Sequence, residues 1–320
     1  MFEQTFKNFG INFNTLQGRD TFSSGDLVTG HISFELTKDT KINSIMMEVT
    51  GKANVHWSTG GGGRRKKRRS RRHFSAKLEF FTLRSIIMQN NNAVGGPTKL
   101  PPGSHLFPFT CQLPHGDFPS PFQGPCGTIS YDLTVSINRP WHMSKDFGAK
   151  LKFVNQIDTS QPELRAPLSG SNQTTLCFLW CASPPITMAV NTEKKAFVPG
   201  ETVKVFCNFS NGSSRTATPK LNLLQKQEYY THNRANKRLI NKTMASVIGH
   251  PVNPGSTDVY TEMLLTIPTD MPVTISNCSI LVLSYVIEAT LSMFAAHDLT
   301  VLFPIVLCDT PVQTQVQGYY

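Results

Sequence analysis

The stretch Phe22–Val28 reads FSSGDLV, and it returns as FVPGETV at Phe197–Val203, 175 positions later. Each copy places a glycine after Ser or Pro and an acidic residue directly after that glycine. A glycine in such a turn adopts a backbone shape that a side chain would strain. The recurrence of one turn in both halves of the chain indicates a duplicated domain.

Two further landmarks share a single offset of 154 positions. Leu113-Pro114 returns as Ile267-Pro268, and the SYDL of Ser130–Leu133 returns as SYVI at Ser284–Ile287. Since the offset of the opening turn is larger, the first copy contains 21 extra residues, and the loop 60–73 (GGGGRRKKRRSRRH) accounts for much of this excess. Copies of this size fall in the usual range of roughly 100–200 residues per domain, and they favour a two-lobed binding protein over a single-pocket enzyme.

The composition fits two ordinary cores, because 39% of the 320 residues are hydrophobic and only 16% are charged. No run of about 18 apolar residues occurs, so we predict no membrane-spanning helix. The segment 1–13 (MFEQTFKNFGINF) has no apolar run with a cleavage site, from which we expect no secretory signal. In such a chain the seven cysteines are expected to be reduced and mostly buried.

Glycosylation sequons support a competing interpretation. Five Asn-X-Ser/Thr patterns would suit an extracellular, glycosylated sandwich protein, but a three-residue pattern is common by chance. We give more weight to the missing signal and keep the extracellular reading as a rival that a glycosidase mobility shift would test. The sequons begin at Asn172, Asn208, Asn211, Asn241 and Asn277.

Strand patterns dominate the chain, and no helix of three turns is predicted. Ile129–Ile137 alternates apolar and polar residues, which is typical of a half-buried antiparallel strand. Short strands with Gly and Pro turns between them predict an all-β fold of two tandem antiparallel β-sandwiches. We expect domains at 1–160 and 175–310, a Pro-, Ser- and Gly-rich linker at 161–174, and a short tail at 311–320. Further strands are predicted at Leu27–Leu36, Ile42–Val49, Val203–Phe209, Lys220–Gln227, Val259–Ile267, Leu281–Ala289 and Leu299–Leu307.

Several segments resemble the arrestin family, in its α-arrestin (arrestin domain-containing) branch. Leu100–Phe109 (LPPGSHLFPF), with Leu113-Pro114 behind it, is similar to the LPxGxHxFPF…LP signature of that branch. Pro119–Gly124 (PSPFQG) and Asn138–Trp141 (NRPW) resemble its next block. In the second half, Phe197–Val203 and the LTIP before Cys278 match in the same order.

The resemblance covers nearly the whole chain and implies both a fold and a function. It implies two arrestin-type β-sandwich domains in a non-enzymatic cytosolic adaptor, peripheral at the plasma membrane and endosomes. Such an adaptor would bind cytoplasmic segments of receptors or transporters and support their endocytosis and endosomal sorting. In phosphate-sensing arrestins, basic residues of the first strands contact receptor phosphates, and Lys7 and Arg19 loosely match those positions.

One departure from the branch concerns ubiquitin ligases. Ligase-recruiting α-arrestins carry PPxY motifs, which dock in WW domains as preformed polyproline segments. The Pro-Pro pairs here, Pro101-Pro102 and Pro184-Pro185, lack the tyrosine. We therefore expect no appreciable binding to isolated WW domains, and micromolar binding to any member of a WW-domain array would contradict this.

The basic loop is the sharpest local signal, because its eight cations account for most of the formal net charge of +10. Val55–Trp57 and Leu78–Phe80 are predicted to be the two arms of a hairpin around it. Anionic lipid of the cytoplasmic leaflet, an acidic partner, or no partner at all remain open for the loop. Nuclear import or nucleic acid is the alternative, although the loop has no interleaved aromatic residues for base stacking. The cations are Arg64, Arg65, Lys66, Lys67, Arg68, Arg69, Arg71 and Arg72.

Motifs for catalysis, metals and cofactors are not found. The nine histidines are scattered, and no HExxH, GxSxG or Walker pattern occurs. Cys177 and Cys181 form a CxxxC without a second ligand pair, so we predict a buried strand there, with S-palmitoylation as the alternative. The sequence thus predicts no enzyme activity, no metal and no cofactor.

Overall fold

The computed structural model describes residues 5–16, 18–60, 71–89, 96–175, 177–178, 181–182, 184–294 and 297–312. The chain divides into two compact units. The first comprises Met1–Asn155 with the short segments Tyr230–Asn236 and Asn277–Ile280, and the second comprises the remainder. Among the described residues, no helix is long or apolar enough to cross a lipid bilayer.

The first unit contains a three-stranded sheet in the order β1-β2-β7, a larger sheet in the order β10-β9-β4-β5 with β8 beside β9, and the short pair β3-β6. Alternate side chains of these strands are buried, which places the core between two packed sheets. The strands are β1 Phe6–Phe13, β2 Leu27–Leu36, β3 Thr40–Ile42, β4 Ser44–Thr59, β5 Arg72–Gln89, β6 Thr98–Leu100, β7 Gly103–Gln112, β8 Phe122–Gly124, β9 Gly127–Asn138 and β10 Lys145–Lys150.

The second unit has a four-stranded sheet in the order β11-β14-β16-β19, a five-stranded sheet in the order β15-β21-β20-β17-β18, and the short pair β12-β13. One four-residue helix, α1, precedes them. The elements are α1 Pro162–Arg165, β11 Leu168–Thr174, β12 Cys177–Phe178, β13 Cys181–Ala182, β14 Ile186–Thr192, β15 Ala196–Phe197, β16 Thr202–Asn211, β17 Ala217–Tyr230, β18 Lys237–Ile248, β19 Ser256–Thr266, β20 Leu281–Met293 and β21 Leu299–Leu307.

The all-β prediction is confirmed. The predicted strands overlap observed ones, but Ile42–Val49 is divided between β3 and β4, and the segment with Cys177 and Cys181 forms the short pair β12-β13 instead of one strand. β2 and β21 have the predicted limits, and the alternation in 129–137 appears in β9 as strictly alternating buried and half-buried residues. Branched and aromatic side chains at every second position fill the space between two sheets, which is why period-two patterning identified them.

The structure differs from the predicted linker and tail. Within 161–174 lie α1 and β11, and β11 pairs along its whole length with β14. A polar, Ser-rich segment suits such an edge strand, since one of its faces meets water. Val312, predicted to lie in the tail, is buried in a cluster with Leu164, Ala196 and Cys308. Residues 313–320 lie outside the described part of the chain.

The repeated turns are alike in their backbone geometry. Gly25 has φ +78° and Gly200 has φ +87°, the left-handed region that favours glycine. The amide of Gly25 donates to Pro114 O at 3.2 Å, and that of Gly200 donates to Ile267 O at 3.0 Å. Each opening turn is thus held against the Leu-Pro or Ile-Pro landmark of its own unit.

A parallel bridge fastens the residue that opens each turn to the end of its unit. Phe22 bridges Phe153 in parallel in the first unit, and Phe197 pairs in parallel with Leu307 in the second. Both phenylalanines are buried. Because 153 and 307 are themselves 154 positions apart, the duplication extends to this closing contact.

The tyrosines of the SYxx landmarks occupy equivalent positions as well. Tyr131 Oη donates to Pro119 O at 2.6 Å, and Tyr285 Oη donates to Pro272 O at 2.6 Å. Burial raises the pKa of both phenols well above the ordinary range. Both hydroxyls therefore remain protonated and tie a strand of the core to a proline-containing loop.

Candidate functional site

The basic loop is carried at the end of a long hairpin. β4 pairs antiparallel with β5, and Thr59 opposite Arg72 is the last pair of the register. The hairpin predicted around the loop is confirmed. Arg71 and Arg72 are exposed, whereas Arg64, Arg65, Lys66, Lys67, Arg68 and Arg69 lie outside the described residues.

Stacked rings stiffen the stem of this hairpin next to the basic segment. The rings of Trp57 and Phe74 lie 5.4 Å apart at an interplanar angle of 18°, and those of His56 and His73 lie 5.8 Å apart at 21°. Cross-strand aromatic pairs stabilise the register of a two-stranded ribbon. The stem therefore holds Arg72, the first residue of β5, at a fixed end of the larger sheet.

The predicted phosphate contact Arg19 is engaged within the fold. Its guanidinium donates to Asp26 Oδ2 at 2.8 Å, and the same oxygen accepts the amide of Ser23 at 2.7 Å. The repeat reproduces this arrangement 175 positions later. Lys194 Nζ lies 2.5 Å from Glu201 Oε1, while Glu201 Oε2 accepts the amide of Val198 at 2.9 Å.

Equivalent ion pairs at two repeated turns indicate a structural role for Arg19. Sequence reasoning missed this role, although the signal was present, because the cation precedes the acidic residue by seven positions in both copies. Lys7 lies exposed near the start of β1, opposite Glu35 of β2. Arg19 follows the other end of β1. Arg19 bonds to Asp26, which directly precedes β2, whereas Glu35 lies eight residues beyond Leu27, about 26 Å along β2, so the structure does not bring the two predicted phosphate contacts together.

The outward face of the four-stranded sheet in the second unit bears aromatic side chains. Phe206 of β16 and Tyr260 of β19 are exposed, with Tyr260 at 76%. Together with Asn208, which pairs with Tyr260 in the register, they line a shallow groove of about 430 Å³. Leu264 extends the same apolar face. Such an exposed apolar groove with a few polar groups is typical of a binding surface.

The first unit has an exposed leucine at the matching position of its own sheet. Leu106 of β7 is exposed and pairs with Ser33 of β2, as Tyr260 pairs with Asn208 in the second unit. Since 106 and 260 differ by the repeat offset, the two outward faces are equivalent. Sequence reasoning missed these two outward faces because it assigned the apolar residues of strands to the core. The available signal was Leu106, an apolar residue in the alternate positions of β7 that face solvent.

The sequon at Asn211 is incompatible with glycosylation of the folded protein. Asn211 is buried, and its Nδ2 donates to Arg215 O at 2.7 Å and to Val252 O at 3.1 Å. A glycan on that nitrogen would break both hydrogen bonds and enter the core. Within the described ranges, no group of three or more His, Cys, Asp or Glu side chains is arranged to hold a metal ion.

Two buried thiols are predicted to be chemically inert in the folded protein. Burial raises the pKa of Cys207 to about 12 and that of Cys308 to about 11. At pH 8 only about one Cys207 in ten thousand is then the reactive thiolate. We expect iodoacetamide to modify the half-buried Cys126 well before Cys207 or Cys308, and all three in urea, as measured by peptide mass spectrometry. Equal labelling rates without urea would contradict the burial argument.

Two duplicated antiparallel sandwiches with exposed apolar sheet faces define a two-domain all-β scaffold. The N-terminal domain of arrestin (or S-antigen) matches residues 9–160, and its C-terminal domain matches residues 182–312. The chain belongs to the arrestin family, in its arrestin domain-containing (α-arrestin) branch.

Curated relatives align along most of the chain. Arrestin domain-containing protein 4 of Mus musculus is 28% identical over 306 residues, which cover 95% of this chain and 72% of that protein. Arrestin domain-containing protein 4 of Homo sapiens is 26% identical over 309 residues, covering 97% and 73%. Thioredoxin-interacting protein of Mus musculus is 19% identical over 305 residues, covering 94% and 73%.

Proposed function

We propose that this protein is a non-enzymatic cytosolic adaptor that binds cytoplasmic segments of receptors or transporters. It acts peripherally at the plasma membrane and endosomes, and it supports the endocytosis and endosomal sorting of its cargo. The observation that carries the proposal is the outward groove of the second unit, where Phe206 and Tyr260 are exposed on a rigid sheet.

The chemistry of this groove suits a peptide segment. Phe206 and Tyr260 offer apolar anchors, and aromatic residues dominate the energetics of protein interfaces. Asn208 adds polar capacity, since its Oδ1 is buried and has no hydrogen-bond partner among the described residues. A segment with one apolar side chain and one donor for this oxygen would satisfy both features.

The basic hairpin complements this groove in the same proposal. Its cations attract acidic or phosphorylated cytoplasmic segments and the anionic lipids of the inner leaflet. Each basic residue near such a surface contributes about 1 kcal/mol, so changing all eight cations to Ser should weaken binding to phosphatidylserine vesicles. Recruitment of a ubiquitin ligase through a WW domain is not part of the proposal, because Met1–Tyr320 contains no PPxY.

Proximity labelling in cells tests the proposal directly. A biotin ligase fused to the full chain should label membrane proteins. The double variant Phe206→Ser/Tyr260→Ser should lose at least about tenfold of that labelling, since two interface aromatics that each contribute about 1–2 kcal/mol weaken binding by roughly 30-fold or more. The matched control is Ile248→Ser, which removes an exposed apolar side chain from β18 of the other sheet.

The outcomes separate the candidate functions. Unchanged labelling of membrane proteins by the double variant would reject the groove as the cargo site. Labelling dominated by nuclear or nucleic-acid-associated proteins, lost when the basic loop is changed to Ser, would favour the nuclear alternative. Equal thermal unfolding of the parent and both variants establishes that the comparison reports binding.

A further inference from the structure

The connection between β9 and β10 places two large apolar side chains entirely in solvent. Trp141 is 101% exposed and Met143 is 92% exposed. The turn is fixed from within, because the amide of His142 approaches Arg139 O at 3.5 Å and the imidazole Nδ1 of His142 lies 2.9 Å from Pro140 O. Trp141 and Met143 thus form a small exposed apolar patch at the tip of one hairpin.

The backbone of Trp141 is strained. Its φ of +58° lies in the left-handed region, where a bulky side chain is an outlier at a cost of about 1–3 kcal/mol. Strain of this kind is common at functional sites. Here the unfavourable conformation directs the largest side chain of the turn into water instead of onto the protein.

Basic side chains surround this patch. A cavity of about 370 Å³ is lined by Trp141 together with Lys38, Lys41, Arg139 and His142. Its one acidic lining residue, Asp39, is paired with Lys99 at 2.6 Å. The cavity therefore has an excess of positive charge.

Arg139 holds an unused donor at this cavity. Its guanidinium lies 5.2 Å from the ring centre of Phe6, and its buried Nε has no hydrogen-bond partner among the described residues. A buried N–H of a charged group without an acceptor is costly. An anionic oxygen is the acceptor that such a group would bind most strongly.

We propose that this hairpin tip, formed by Arg139–Ser144 with Lys38 and Lys41, docks the protein on an anionic lipid bilayer. Trp141 and Met143 enter the boundary between headgroups and acyl chains, where tryptophan is favoured. Lys38, Lys41 and Arg139 face the phosphate and carboxylate groups of the lipids. The inference does not depend on the cargo groove.

The tip is far from the basic loop. Ser44, the first residue of β4, pairs with Asn138 next to the tip, whereas Thr59, the last, pairs with Arg72 at the loop. At about 3.3 Å per residue, the two ends of β4 are about 50 Å apart. The two cationic regions are therefore separable by mutation.

Vesicle flotation with the full chain tests the tip. The parent should float with phosphatidylcholine vesicles that contain phosphatidylserine and not with phosphatidylcholine alone. Trp141→Asn/Met143→Ser should bind about tenfold or more weakly, given the apolar area that one tryptophan buries. Lys38→Ser and Lys41→Ser should each weaken binding about fivefold, and added salt should weaken binding further.

Two controls keep the test specific. Asn accepts a positive φ, so Trp141→Asn should leave the thermal midpoint unchanged or raise it. Brominated lipid should quench the tryptophan fluorescence of the parent, whereas Trp141→Phe should bind within about threefold of the parent and lose most of the quenching. At lipid concentrations that restore its binding, the variant with all eight loop cations changed to Ser should keep this quenching.

Three results would overturn the proposal. The double variant could float as well as the parent, or the quenching could survive in Trp141→Phe. Alternatively, soluble inositol hexakisphosphate could bind in a Lys38- and Lys41-dependent manner while the double variant still binds vesicles. In that case the cavity would take a soluble phosphate compound and not a membrane.

Discussion

Replacing Lys194 with alanine is expected to lower the free energy of unfolding by about 2–4 kcal/mol. The Lys194 side chain is only 9% exposed, and it lies 2.5 Å from Glu201 and 5.2 Å from the ring centre of Phe197. The change would remove a buried lysine stem, its cation–π contact and the cation that faces Glu201, whose own side chain is 26% exposed. The equivalent change Arg19→Ala should cost about 1 kcal/mol or less, because Arg19 is 34% exposed and water screens its pair with Asp26.

Urea unfolding of the two single variants measures this difference between equivalent positions. The double variant Lys194→Ala/Glu201→Gln should recover part of the lost free energy of unfolding, because it no longer buries a Glu201 charge that lacks its cation. Arg19→Lys, which keeps the charge, serves as the control in the first unit. Equal losses for Lys194→Ala and Arg19→Ala would show that burial does not set the strength of these pairs.

The change Tyr285→Phe is expected to cost about 2–4 kcal/mol, and Tyr131→Phe about 1–2 kcal/mol. Tyr285 Oη donates to Pro272 O and accepts from Gln225 Nε2 at 3.1 Å, within a buried polar chain that continues to Gln227. Its removal leaves a buried donor and a buried acceptor unsatisfied. Among the described residues, Tyr131 Oη makes one side-chain hydrogen bond, to Pro119 O, so its removal leaves only that acceptor unsatisfied.

Differential scanning calorimetry of the parent and both phenylalanine variants measures these costs, and alkaline titration adds a second readout. Burial raises the folded-state pKa of both phenols. Their contribution to stability is thus complete below the unfolded-state pKa of about 10 and is lost as the pH rises from there towards the folded-state values. The parent should lose stability above pH 10 more steeply than either variant. Identical pH profiles would contradict a buried, protonated tyrosine.

Much of the fold was predictable from the sequence because the repeated turn and the strand periodicity depend on the backbone conformation and burial of residues close together in the sequence. The left-handed backbone at Gly25 and Gly200 follows from the turn sequence, and the alternation in β9 follows from burial on one face. The linker prediction for 161–174 reflects composition alone. Composition does not register that a Ser-rich segment forms an edge strand once β14 lies beside it.

The candidate sites were less predictable because they depend on partners that are distant in the sequence. Arg19 was predicted as a phosphate contact, since its partner Asp26 is identified only when the two repeats are compared. Trp141 belongs to a segment that resembles a family motif, but its side chain is exposed and its φ is positive, and no local sequence pattern predicts either feature. The hairpin around the basic loop was predictable because both of its arms are strongly patterned strands.

The parallel bridges described above bear on how the protein is made. Phe22 can meet Phe153 only after nearly all of the first 155 residues have left the ribosome, and Phe197 must likewise wait for Leu307. At about 5–20 residues per second, the opening turn of the first unit spends roughly 7–25 s in the nascent chain without its closing strand. During that interval Phe22 is an exposed apolar side chain in an incomplete sheet. Each unit therefore closes this contact only late in its own synthesis, and slowing translation should lengthen the interval before Phe22 and Phe197 are covered.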